Sequence, residues 1–138
     1  MRPPHRFPVR VYYEDTDAAG IVYYANYLKF AERARSELLR EIGHAPAALA
    51  ATQGLQFAVR RCLVEYRKPA RLDDLLEVET SLIELGGATL DALQVVRRDG
   101  APLTEIRARL ACLTRAGRAS RLPPGLRAAL QPYLQTEE

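Results

Sequence analysis

Between Ala25 and Ile42, apolar residues return every three or four positions, at Leu28, Ala31, Ala34, Leu38 and Ile42. Lys29, Glu32, Arg33, Glu37, Arg40 and Glu41 fill the positions between them. That spacing predicts one amphipathic helix of about five turns with a single apolar stripe. Asn26 and the small Ala25 stand near its start, Arg33 and Glu37 are spaced for an i,i+4 pair, and Gly43 with Pro46 supplies a stop. Ala47 to Gln53 adds a short helical turn before Gly54.

Elsewhere the period is two. Phe7 to Glu14 reads as a strand with Phe7, Val9, Val11 and Tyr13 on one side. Leu76, Val78, Thr80 and Leu82 alternate with acidic and small polar residues, and Ile106, Ala108, Leu110 and Cys112 alternate with Glu105, Arg107 and Arg109. Phe57 to Tyr66 and Thr89 to Arg97 are also extended, with a less clean alternation. Asp99-Gly100 and Ala116-Gly117 mark hairpin turns. Pro123-Pro124-Gly125 ends the last strand, and Leu126, Leu130 and Leu134 outline a short terminal helix.

The order is strand, long helix, then four antiparallel strands. This is an α+β arrangement in which a five-stranded antiparallel sheet wraps around one long central helix. The other sheet face needs cover, which a homo-oligomer provides.

At 138 residues the chain is read as one domain spanning 1–138, with residues 1–6 and 135–138 as flexible ends. Its 20 basic and 17 acidic residues interleave to a net charge of +3, so no segregated basic patch argues for nucleic acid, and nucleic acid is not an expected partner. The small positive excess suits a phosphate-bearing small ligand. Cys62 and Cys112 match no metal-ligand spacing and are expected to be two buried strand thiols. There is no run approaching about 18 apolar residues and no signal-peptide pattern. The expectation is a cytoplasmic protein without a transmembrane segment, needing no metal or other cofactor.

The candidate chemistry lies in the acidic loop Tyr13-Glu14-Asp15-Thr16-Asp17-Ala18-Ala19-Gly20-Ile21-Val22-Tyr23-Tyr24-Ala25-Asn26-Tyr27. It delivers two carboxylates to a helix start, where unpaired backbone N–H groups and the positive end of the helix dipole stabilise an anion. Such a carboxylate either satisfies loose amides or does acid/base work. His5 and His44 lie where no Ser-His-Asp or Cys-His arrangement can be argued, so acid/base work falls on carboxylates. Glu32 and Glu37 have basic neighbours one turn away and read as solvated or interface ion-pair charges rather than as catalysts.

This loop, followed by Phe30-Ala31-Glu32-Arg33-Ala34-Arg35, resembles the hotdog-fold acyl-CoA thioesterases of the 4-hydroxybenzoyl-CoA thioesterase type, and most nearly their Tol-Pal-associated branch. The likeness continues through Tyr66-Arg67-Lys68-Pro69-Ala70-Arg71-Leu72-Asp73-Asp74 and ends at Arg121-Leu122-Pro123. It implies hydrolysis of acyl-CoA by a homodimer or homotetramer with each site at a subunit boundary. The family's catalytic carboxylate falls on Asp17, and its oxyanion-binding backbone N–H falls on Tyr24, where some branches carry a histidine. Asp17 would act as general base on water or attack the carbonyl itself.

Asp15 is expected to brace the loop together with Gly20 and Asn26. Arg118 matches a nucleotide-side arginine of the family, and Lys68 and Arg121 are further candidates for the phosphates of coenzyme A. Where the aryl-CoA branch has arginines at a strand turn, this chain has Gly86-Gly87. The resemblance leaves two alternatives: an acyl-binding or envelope-associated interaction module with little turnover, and a thioesterase acting on acyl carrier protein.

Overall fold

The helix forms where the three-four spacing places it. In the computed structural model, which describes residues 3–135, it is α1, Asn26–Glu41. Its buried face is rotated from the expected stripe: Tyr27, Phe30, Ala31, Ala34 and Leu38 are covered, while Leu28 is 39% exposed. The two rings explain the rotation, since burying Tyr27 and Phe30 removes more apolar surface from water than burying Leu28. Glu37 pairs with Arg40 rather than with Arg33, whose guanidinium instead stands 5.9 Å from the centre of the Phe30 ring. Gly43 adopts φ 87° and lets the His44 N–H reach back to the Leu39 carbonyl at 2.8 Å, ending the helix. A second helix, α2 (Pro46–Gln53), follows with proline in its first turn.

Five strands complete the expected set: β1 (His5–Arg10), β2 (Leu55–Tyr66), β3 (Leu75–Leu85), β4 (Thr89–Arg98) and β5 (Ala101–Thr114). They form one antiparallel sheet in the order β1-β3-β4-β5-β2, curved around α1. The first strand ends four residues earlier than expected. Tyr13 lies in a 3-10 turn, Tyr13–Asp15, and is 81% exposed.

The unclean alternation of Phe57 to Tyr66 has a cause in the backbone. The register of β2 against β5 shifts between Val59 and Arg61, so Phe57 and Val59 share a face with Cys62, Val64 and Tyr66. Because β2 is an edge strand, Cys62 is exposed, against the expectation of two buried thiols; Cys112, on the interior strand β5, is buried. In β4 the inward row is Leu90, Ala92, Gln94 and Val96, and the polar Gln94 is what blurred its pattern.

The terminal helix α3 (Pro124–Leu130) buries Leu126 and Leu130. Leu134 lies beyond it, bridged to Leu82. His5 and Arg6, expected in a flexible end, pair with Thr80 and Glu79, and the Gln135 N–H bonds the Leu82 carbonyl. Of the expected flexible ends, residues 1, 2 and 136–138 lie outside the described residues. Among the described residues no helix is long and apolar enough to cross a membrane.

The core is divided. Tyr27, Phe30, Val78, Val96 and Ile106 belong to one cluster, and Leu38, Leu82, Leu90, Leu110 and Leu126 to another. Between them on β3 and β4 lie Thr80 and Gln94, both buried.

Candidate active site

The acidic loop is a small hairpin folded against the start of α1. Thr16 bridges Val22, the Asp17 N–H bonds the Ile21 carbonyl at 2.9 Å, and the Gly20 N–H bonds the Asp17 carbonyl at 3.0 Å. Gly20 has φ 80°, a conformation glycine adopts at no steric cost.

The two carboxylates are placed differently. Asp15 is 3% exposed; its Oδ2 accepts the Tyr12 N–H at 2.9 Å, and its Oδ1 accepts the Asn26 side-chain amide at 3.0 Å. Its own carbonyl takes the Tyr23 N–H at 2.8 Å, tying the two legs of the hairpin together. Asp17 is exposed at the tip. Its Oδ1 accepts the Ala19 N–H at 2.8 Å, an Asx turn, and Oδ2 has no partner among the described residues.

Tyr24 sits on the returning leg just before α1, with its side chain 61% exposed. Among the described residues nothing accepts its backbone N–H. Its carbonyl accepts the Tyr66 hydroxyl at 2.9 Å. Tyr66 stands edge-on to Tyr24, with ring centres 6.2 Å apart, and 5.7 Å from Tyr27, which meets Phe30 edge-on at 6.0 Å. These rings form an aromatic wall beside the loop. Burial raises the Tyr27 phenol above its ordinary pKa, so it stays neutral and accepts the Ala70 N–H at 2.9 Å.

The segment from Tyr66 to Asp74 clasps the hairpin from the other side. The Val22 N–H bonds the Ala70 carbonyl at 2.9 Å, Ile21 bridges Arg71, and Val11 exchanges backbone bonds with Asp73 and Asp74. The two motifs are thus one structural unit.

The expected site residues divide by location. Asp15, Asp17, Gly20, Tyr24 and Asn26 come together, and Lys68 follows Tyr66 on the clasping segment. Arg118 lies in the turn after β5, where its carbonyl accepts the Thr114 N–H. Thr114 pairs with Leu55, at the opposite end of β2 from Tyr66. Arg121 stands against Gly87, and Arg127 donates to the carbonyls of Leu85 and Gly86. The glycine turn therefore has arginines beside it, supplied by the segment after β5. Tyr66 was missed in the sequence as a partner of the loop, because nothing local marks a contact across forty-two positions.

The model of the thioesterase-like superfamily matches residues 11–130. The acyl-CoA thioesterase YbgC of Haemophilus influenzae is 47% identical over 107 residues, covering 78% of this chain and 79% of that protein. The acyl-CoA thioester hydrolase YbgC of Escherichia coli is 46% identical over 109 residues, covering 78% and 81%. Among solved structures, a probable thioesterase from Bartonella henselae superposes with a TM-score of 0.83 at 37% identity, covering 87% of this chain and 99% of its own. A Thermus thermophilus thioesterase complexed with coenzyme A and zinc superposes with a TM-score of 0.81 at 28% identity, covering 95% of each chain.

Proposed function

We propose a mechanism for a chain that belongs to the thioesterase-like superfamily, a hotdog-fold acyl-CoA thioesterase in which Asp17 and the Tyr24 N–H act on the two sides of one thioester carbonyl. The observation that carries this reading is the pairing of an exposed carboxylate with an unpartnered amide on adjoining legs of one hairpin.

A thioester carbonyl oxygen accepts the Tyr24 N–H. As the acyl carbon is attacked, this oxygen gains charge beside the start of α1, where the helix dipole favours it. Asp17 Oδ2 takes a proton from the attacking water, or itself bonds to the acyl carbon to give an anhydride that water then opens. Either route expels the thiolate of coenzyme A. Asp15, Gly20 and Asn26 hold the hairpin, and Tyr66 holds Tyr24.

A second copy completes the site. β2 is a twelve-residue strand with an unpaired outer edge that exposes Val59, Leu63 and Tyr66, whereas the other edge, β1, is six residues long and carries Pro8. Two copies joined antiparallel along β2 set the Tyr66 end of one opposite the Leu55 end of the other. Arg118 and Arg121 of one copy then approach the hairpin of the other, where they and Lys68 meet the phosphates of coenzyme A. Homodimers, or tetramers built from them, result. An acyl-CoA substrate and an exposed free Cys62 thiol belong to a cytoplasmic protein.

Thiol release from acyl-CoA by wild type and Asp17→Asn tests the reading. Loss of activity supports it, and an undiminished rate overturns it.

A further inference from the structure

The polar layer that divides the core leads to a guanidinium. Gln94 is fully buried on β4. Its Nε2 donates to the Ala31 carbonyl at 2.9 Å and to Thr80 Oγ1 at 3.0 Å, which uses both amide protons and turns Oε1 toward α1. There Oε1 accepts Arg35 Nη1 at 2.9 Å. This is the one hydrogen bond of the Arg35 guanidinium among the described residues, and no carboxylate lies within ion-pair distance of it. Its remaining N–H groups are not sealed in protein, since they are absent from the buried atoms without partners.

Arg35 lines a cavity of about 380 Å³ between α1 and the sheet, within the range of small-molecule sites. Most of its lining is apolar, including Leu38, Leu49, Phe57, Leu82 and Leu90. Arg35 is held there by a neutral amide whose own protons are committed, so its charge is oriented but not neutralised. Burial lowers the Arg35 pKa, while Glu32 one turn back pulls it up only from a distance. Glu32 lines the same cavity, but it is exposed to solvent, which screens it. A partly desolvated cation with free donors in a mostly apolar cavity is completed by an anion.

We infer that this cavity receives the acyl group and that Arg35, aimed by Gln94, binds a carboxylate at its far end, so the enzyme selects dicarboxylyl-CoA thioesters. The inference rests on the two-copy reading above. In that arrangement the cavity wall formed by Gln56, Phe57 and Val59 near the start of β2 lies beside the other copy's Tyr24. The chain passes between the apolar walls, and the distal carboxylate takes two parallel N–H bonds from the guanidinium fork.

The test compares kcat/KM for adipyl-, suberyl- and sebacyl-CoA with hexanoyl-, octanoyl- and decanoyl-CoA, and with the ω-hydroxyacyl thioesters of the same lengths. At the best-fitting length the dicarboxylyl thioester should be favoured by about tenfold or more, a ratio that Arg35→Met abolishes and Arg35→Lys reduces. If Arg35→Met does not fold, the Arg35→Lys ratio decides. Hydrolysis of the neutral or hydroxylated thioesters with equal or greater efficiency overturns the inference and leaves the thioesterase reading standing. If no thioester is hydrolysed, the reading fails. Calorimetric titration of wild type with suberate and octanoate then decides the cavity: suberate should bind about tenfold tighter, and equal or weaker binding overturns it.

Discussion

The Tyr66 hydroxyl donates to the Tyr24 carbonyl over 2.9 Å, so the last residue of β2 holds the residue whose own N–H has no acceptor among the described residues. Tyr66→Phe keeps the ring against Tyr24 and removes only this bond. The kcat is expected to fall about tenfold with KM little changed, because a loosened donor misplaces the carbonyl. The melting temperature should barely move, since an exposed neutral hydrogen bond contributes about 1 kcal/mol or less. An unchanged kcat in steady-state kinetics would show that the phenol does not position the donor.

The two loop aspartates should separate activity from stability. Asp17→Asn is expected to reduce kcat by about 10³ while leaving the urea midpoint close to wild type, because Asp17 is exposed and its Asx bond survives as an amide oxygen. Asp15→Ala takes the acceptor from the part-buried Tyr12 N–H and from the buried Asn26 amide and should cost about 2–3 kcal/mol in urea unfolding. An active Asp17→Asn would remove Asp17 from the mechanism.

Gln94 has no exposed surface and three hydrogen bonds, so Gln94→Leu should destabilise the fold by about 2–4 kcal/mol despite its similar size. It leaves Arg35 without its acceptor between two apolar clusters. Equilibrium unfolding measures the loss, and a neutral result would mean that leucine joins the two clusters into one.

On the outer face of the sheet, Asp91 takes two bonds from Arg109, at 2.8 and 3.0 Å, which lower the Asp91 pKa below the ordinary carboxylate value. The folded pKa lies below the unfolded one, so the stabilisation is fully present above the unfolded value of about 3.9 and is lost as pH falls through the folded value. Asp91→Asn should therefore be less stable than wild type at neutral pH, and the gap should close on acidification below about pH 4. A gap that is constant with pH would exclude the charge as its source.

Replacing Val59 and Leu63 together by lysine places charge on the open edge of β2 and is expected to give monomers in sedimentation velocity, with activity lost in parallel. Fully active monomers would show that one copy suffices for hydrolysis.

Much of the architecture is legible along the chain because periodicity reports burial directly. The rows Leu76–Leu82 and Ile106–Cys112 face inward as their alternation requires, and α1 spans the expected residues within one position at each end. The sequence falters where the backbone departs from regularity. The register shift in β2 moves Cys62 to the same face as Val59, and no local pattern distinguishes a bulge from a weak strand. It falters again at α1, where the helix turns to bury Tyr27 and Phe30.

The acidic loop shows the same division. Two aspartates two positions apart before a helix follow from the sequence alone, as does the glycine that turns the hairpin. Their burial does not, because it depends on where Tyr12 and Asn26 meet Asp15, eleven positions from the amide that it accepts. Sequence determined the elements, their order and the family, since each depends on local spacing or on a contiguous motif. Only the tertiary structure decided that Asp15 is sealed and Asp17 open, that Tyr66 holds Tyr24, and that Gln94 turns Arg35 toward a cavity. Those relations join residues distant along the chain, and their energies depend on burial and on distances that packing alone sets.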